Sequence, residues 1–274
     1  MSLYSTTTLS IFVVLGFSSA VSSAATLTVP GSAVSPNSGV NTILRTLPRV
    51  YQSYIDESQL TSITQPIQIT GMRFRLAAGE NWRPAGYVGT SWPNADLTFA
   101  DWTIQMGQAS STIIADEEII ATTTTFNQNM EAAPIITRTG SLTLSANSFQ
   151  ADGGSAVGAV HSFGPLITFT TPYVLNPGET LVYAVAHSGY GATGTPLNAF
   201  FETADFANGI ADAVSSTVAG ATFNSTPNGF SSPYIVQFEY VVIPEPGSAS
   251  VLLLTGLAAL RRRSRSRFRL HCYG

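Results

Sequence analysis

Residues 25–243 predict an antiparallel β-sandwich of jelly-roll type, and three observations carry the prediction. Apolar and polar residues alternate with period two in one segment after another. Clusters of Gly, Pro, Asn and Ser separate those segments. β-Branched residues abound, Thr122–Thr125 among them, and helical periodicity is weak.

Taken in order, Ala25–Pro48 reads as an opening strand followed by a loop. Ile67-Gln68-Ile69 and Met72-Arg73-Phe74-Arg75-Leu76 alternate on either side of Gly71. Gly79–Trp102 is a long aromatic loop. Trp102-Thr103-Ile104-Gln105-Met106 alternates cleanly and sends Trp102 to the core, and Ser141-Leu142-Thr143-Leu144 follows the same rule. Leu166-Ile167-Thr168-Phe169 and Leu181-Val182-Tyr183-Ala184-Val185 read as more centrally buried strands. Between these two, Asn176-Pro177-Gly178-Glu179 predicts a turn in which Gly178 takes positive φ. Ala204–Val218 has weak helical character interrupted by Asn208-Gly209. Tyr234–Val242 is the final strand, with Val236, Phe238, Tyr240 and Val242 opposed to Gln237 and Glu239. With no repeat of fixed period and no long linker, one domain is the economical reading.

Both ends read as targeting segments. In residues 1–24, Leu9–Phe17 is an apolar run of signal-peptide length, and Ser22-Ser23-Ala24 places small residues before a cut at Ala25. At the other end, Pro244-Glu245-Pro246 precedes an apolar helix at residues 247–260. Arg261, Arg262 and Arg263 follow, then Arg265, Arg267 and Arg269. An apolar segment closed by a basic cluster is a stop-transfer arrangement with the arginines on the cytoplasmic side. As a helix it rises about 21 Å, against a bilayer core of about 30 Å, so it suits a temporary anchor. The prolines keep that helix from continuing upstream. A stable single-pass membrane protein is the competing reading of the same residues.

This ordered pattern resembles the PEP-CTERM sorting signal of Gram-negative bacteria. The resemblance covers Ile243–Arg263, with Pro244, Glu245 and Pro246 as the recognition motif, and residues 244–274 form the whole signal. It implies export through Sec-type machinery, transient anchoring in the inner membrane, recognition and cleavage by an exosortase-type enzyme, and delivery to the cell surface or exopolysaccharide matrix. The body also resembles, more loosely, the β-rich ectodomains of such proteins, through Ile69–Phe74 and Ile167–Pro172.

Composition excludes several activities. All twelve basic residues are Arg, so there is no lysine Schiff base and no P-loop lysine. The single Cys272 excludes an intrachain disulfide framework. Between residues 25 and 243, six Arg stand against fifteen carboxylates, a formal charge of −9. No basic footprint for nucleic acid remains there.

Motifs for catalysis are sparse. The sequence has no Gly-x-Ser-x-Gly elbow, no His-Glu-x-x-His and no glycine-rich phosphate loop. No catalytic residue, resident metal or cofactor is assigned. Glycoside hydrolysis needs only two carboxylates, and Glu80, Asp96, Asp101 and Asp116-Glu117-Glu118 are the acids available. Asp205, Asn208 and Asp212 flank Gly209 as faint oxygen ligands for Ca²⁺, at a spacing unlike an EF-hand. His161 and His187 read as ordinary histidines at strand edges. Trp82, Tyr87 and Trp92 lie in the long loop as contacts for a carbohydrate, or as rings that plug one end of the sandwich. The leading expectation is therefore a non-catalytic surface or matrix protein. A carbohydrate-binding module of the exopolysaccharide and a secreted polysaccharide hydrolase are the alternatives.

Overall fold

Two antiparallel sheets face each other across one apolar core. The computed structural model describes residues 23–31, 39–40, 43–77, 91–111, 124–153, 160–190, 199–204 and 211–244. The strands in these residues are β1 (Ala25–Val29), β2 (Gly39–Val40), β3 (Arg49–Ile55), β4 (Ile67–Phe74), β5 (Leu97–Phe99), β6 (Trp102–Gly107) and β7 (Ile135–Arg138). They continue with β8 (Leu142–Leu144), β9 (Ile167–Leu175), β10 (Leu181–His187), β11 (Phe201–Glu202), β12 (Ala211–Ser216), β13 (Gly229–Ser231) and β14 (Val236–Val242). The smaller main sheet runs β1-β14-β4-β9 and the larger β13-β12-β3-β10-β6-β7. Two short ribbons, β11-β2 and β5-β8, accompany them. The described residues are therefore all-β and antiparallel, as the alternation predicts.

Side-chain parity explains the layering. In the larger sheet, Tyr51 and Ile55 of β3, Tyr183 and Val185 of β10, and Trp102, Ile104 and Met106 of β6 point inward. They meet Ile69, Met72 and Phe74 of β4, Phe169 and Tyr173 of β9, and Val236 and Phe238 of β14. Burying apolar surface in this way is the main driving force for the fold.

β4 keeps this parity only by changing phase. Ile67 and Ile69 face the core from odd positions, whereas Met72 and Phe74 do so from even ones. The register against both β14 and β9 shifts at Thr70–Gly71. A bulge therefore adds the residue that flips the pattern. Thr70 Oγ1 donates to Glu239 O at 3.2 Å. A Cβ on Gly71 would lie 2.7 Å from Leu166 Cδ1 and 2.9 Å from Ile167 O, so a side chain does not fit.

The outer face of the larger sheet is also covered. Val50, Tyr54, Val182, Ala184 and Val214 pack under Phe126 and Met130, with Phe223 partly buried beside them. All seven residues of β3 are consequently buried, polar ones included. The outward Gln52 has its amide satisfied. Nε2 donates to Phe126 O at 2.7 Å, and Oε1 accepts from Asn129 Nδ2 at 2.8 Å. Thr124 Oγ1 in turn donates to Asn129 Oδ1 at 2.7 Å. A polar strand thus sits inside the protein because a loop supplies its hydrogen-bond partners.

Two local expectations change, and one holds. Residues 211–216 form β12, paired with β3 and β13, where a weak helix was expected. Strand pairing outweighs a propensity that an Asn-Gly already interrupted. β9, expected to be central, is the edge of the smaller sheet. Its middle, Thr170–Pro172, swings out of register, which suits a proline that lacks an N–H for the ladder. Thr170 Oγ1 then reaches Thr137 O of β7 at 3.0 Å, joining the neighbouring edges of the two sheets. Gly178 does take positive φ, at 77°, in the turn between β9 and β10.

Candidate functional site

The two ends of the body lie next to each other. β1 begins at Ala25 and pairs with β14, Ala25 lying opposite Tyr240 and Val29 opposite Val236. β14 continues to Val242, opposite Ile67, and Ile243 N donates to Pro66 O at 2.9 Å. Pro244 follows, exposed. The residue expected to begin the mature chain and the first proline of the expected recognition motif therefore leave the same end of the same sheet. β3 ends, β4 begins, β9 ends and β10 begins at that end too. Glu245, Pro246, the 247–260 segment and Arg261, Arg262 and Arg263 lie outside the described residues. No helix among the described residues is long and apolar enough to cross a membrane.

Among the expected ligand contacts, Trp92 is described and is 4% exposed. Its ring packs against Phe149 at 5.7 Å and edge-on to Phe201 at 5.9 Å. It fills the core, as in the plug alternative, and offers no face to a carbohydrate. Trp82 and Tyr87 lie outside the described residues. So do Asp205 and Asn208 of the Ca²⁺ candidate; Asp212 falls in β12, with its side chain undescribed. No group of three His, Cys, Asp or Glu suited to a metal occurs among the described residues.

Of the acids considered for hydrolysis, Asp96 and Asp101 are described and both brace turns. Asp96 Oδ1 accepts from Ala146 N at 2.8 Å. Asp101 Oδ1 accepts from Ser188 N at 2.9 Å and also from the Ser188 hydroxyl. Glu80 and Asp116–Glu118 lie outside the described residues.

The far end of the sandwich carries the more unusual chemistry. Arg49, His187 and Trp102 form one cross-strand row over β3, β10 and β6, on the side of the larger sheet that faces the core. His187 is buried and its ring stacks on Trp102, 5.0 Å between centroids and 1° between planes. Nδ1 accepts from Gly189 N at 2.9 Å. The proton therefore belongs on Nε2, which lies 2.7 Å from Ile43 O. Burial pushes the His187 pKa down to about 4. The Ile43 contact and Asp101 oppose the shift, and Arg49 adds to it.

A second buried charge is paired. Glu202, with its side chain fully buried, meets the Arg75 guanidinium, which lies 4.9 Å over the Phe163 ring. Burial raises the Glu202 pKa, and Arg75 opposes that rise. Neither the Arg49 row nor this pair was singled out from sequence. A lone Arg opening Arg49-Val50-Tyr51-Gln52-Ser53 carries no motif; the signal needed was a cross-strand register, which sequence does not display.

These elements define an antiparallel β-sandwich body with paired terminal strands and a chemically distinct opposite end. No family model, curated protein or solved structure matches the chain.

Proposed function

We propose that this chain is an exported, non-catalytic surface or matrix protein, delivered and processed through a PEP-CTERM-like signal at residues 244–274. The observation that carries the reading is that the two expected cut points leave one end of one sheet. β1 starts at Ala25 and pairs with β14, which runs on to Val242 before Ile243 N donates to Pro66 O. Nothing between these residues has to unfold for either end to be cut. Because Ala25 lies opposite Tyr240, both membrane segments would leave one end of the body and hold it in one orientation before processing.

The strand order supports the finer fold reading. Set aside β12 and β13 as an extension, omit the short ribbons, and number the remaining eight strands along the chain. The sheets then run 1-8-3-6 and 2-7-4-5, the arrangement of a jelly roll. That topology places the first and last strands side by side.

The test is fractionation of cells that carry an exosortase-type enzyme. The wild-type chain loses its Arg-rich tail and appears at the surface or in the matrix. The Pro244→Ala/Pro246→Ala variant stays full length in the membrane. Identical distribution of the two chains would contradict the reading.

A further inference from the structure

Arg49 is a buried cation with no counter-ion among the described residues. It is 5% exposed, and its Nε is sealed from solvent with no hydrogen-bond partner. The other body arginines clarify the contrast. Arg73 pairs with Glu239 and Arg75 with Glu202; Arg138, whose Nε is also buried without a partner, is bonded through Nη2 to Ser141 O. Arg83 lies outside the described residues. No carboxylate among the described residues lies within ion-pair distance of Arg49. Arg45, of the same sign, acts on it electrostatically. A guanidinium stays protonated under all ordinary conditions, so it cannot escape the cost of burial by losing its proton.

A second unpartnered donor lies in the same row. Trp102 is fully buried, and its Nε1 has no acceptor. His187 stands between Trp102 and Arg49 with both ring nitrogens already engaged. The inner face at this end thus presents a fixed positive charge and an indole N–H, and neither Arg49 Nε nor Trp102 Nε1 has an acceptor among the described residues. Buried donors and a cation of this kind suit an oxyanion.

We propose that Arg49 is the recognition residue of an oxyanion site at the end of the sandwich opposite Ala25 and Pro244. The site takes a carboxylate or phosphate group, with Arg45 adding to the attractive potential. A matrix offers two sources of that chemistry, free anions and the uronic-acid units of acidic polysaccharides. The location fits either source, because this end points away from the end that carries both expected membrane segments. The site does not depend on the delivery reading, since the assay is made on purified protein.

The experiment is thermal melting of the full-length chain in detergent micelles, followed by circular dichroism at constant ionic strength. The probes are sodium glucuronate, inorganic phosphate and glucose. A ligand that binds only the folded state raises the melting temperature in a saturable way. Glucuronate, phosphate or both raise it by several degrees, and glucose does not. A response to glucuronate alone assigns the site to an acidic sugar, and an equal response to phosphate assigns it to the simple oxyanion. The Arg49→Met variant loses the response and, in anion-free buffer, melts no lower than wild type, because the substitution removes an unpaired buried charge at similar volume. Flat curves for both anions on the wild-type chain overturn the site, whether or not the variant folds. An undiminished response in Arg49→Met overturns it as well.

Discussion

Acid should destabilise this fold through His187, and the size of the effect follows from its surroundings. The ring is buried against Trp102, with Gly189 N–H bonded to Nδ1 and Ile43 O facing Nε2. A second proton must displace the Gly189 donor, in a dry site already near Arg49. The pKa falls from an ordinary 6.5 to about 4. Because the folded value lies below the unfolded one, this contribution is intact above pH 6.5 and is lost as pH falls towards 4. At about 1.36 kcal/mol per unit, the full loss is about 3 kcal/mol, and about 2 kcal/mol of it is gone by pH 5. The assay is urea unfolding at pH 7.5 and at pH 5, for the wild type and for His187→Phe. Phe keeps the stack on Trp102 and cannot titrate. Subtracting one chain from the other removes contributions common to both, such as Asp56 and Asp152, which lose stability in acid, and Glu202, which acts in the opposite sense. Wild type should lose about 2 kcal/mol more than His187→Phe between the two pH values. Parallel losses would refute the assignment of His187 as a buried neutral imidazole.

Three further substitutions test the packing. Gly71→Ala should destabilise by about 1–3 kcal/mol in the same urea assay, because its Cβ meets Leu166 and the Ile167 carbonyl inside van der Waals distance. Asn129→Ala should cost about 1–3 kcal/mol by leaving Gln52 Oε1 without its buried donor. Arg75→Met should cost about 3–5 kcal/mol because Glu202 is left buried and charged, and adding Glu202→Met should recover most of that loss.

Strands with one covered face were legible in the sequence. β8 and β14 alternate because one side meets the core, and the alternation on either side of Gly71 coincides with a bulge. β3 was not legible. Its seven residues are buried on both faces, so Arg49, Gln52 and Ser53 interrupt any apolar run. What permits them is supplied from elsewhere, for Gln52 by Phe126 and Asn129, more than seventy positions along the chain. β12 was hidden for a related reason, since it owes its form to pairing with β3 on one side and β13 on the other. The same limit applies to the sites. A linear signal such as the one proposed at Pro244-Glu245-Pro246 with its arginines is read directly, because the partners proposed for it, a membrane and an enzyme, lie outside the fold. The row Arg49–His187–Trp102 exists only once β3, β10 and β6 are in register. Trp92 shows the converse, as an aromatic in a loop-like stretch that packs against Phe149 and Phe201 and serves the core.

The central claim is that both expected processing points, at Ala25 and at Pro244–Pro246, leave the same end of the β-sandwich body. Mass spectrometry of the surface-exposed protein tests it most directly. The account predicts an N-terminus at Ala25 and a C-terminus within or next to Pro244–Pro246, with the body otherwise intact. A surface form that still carries Arg261–Arg263, or one whose first residue lies inside β1, would contradict it.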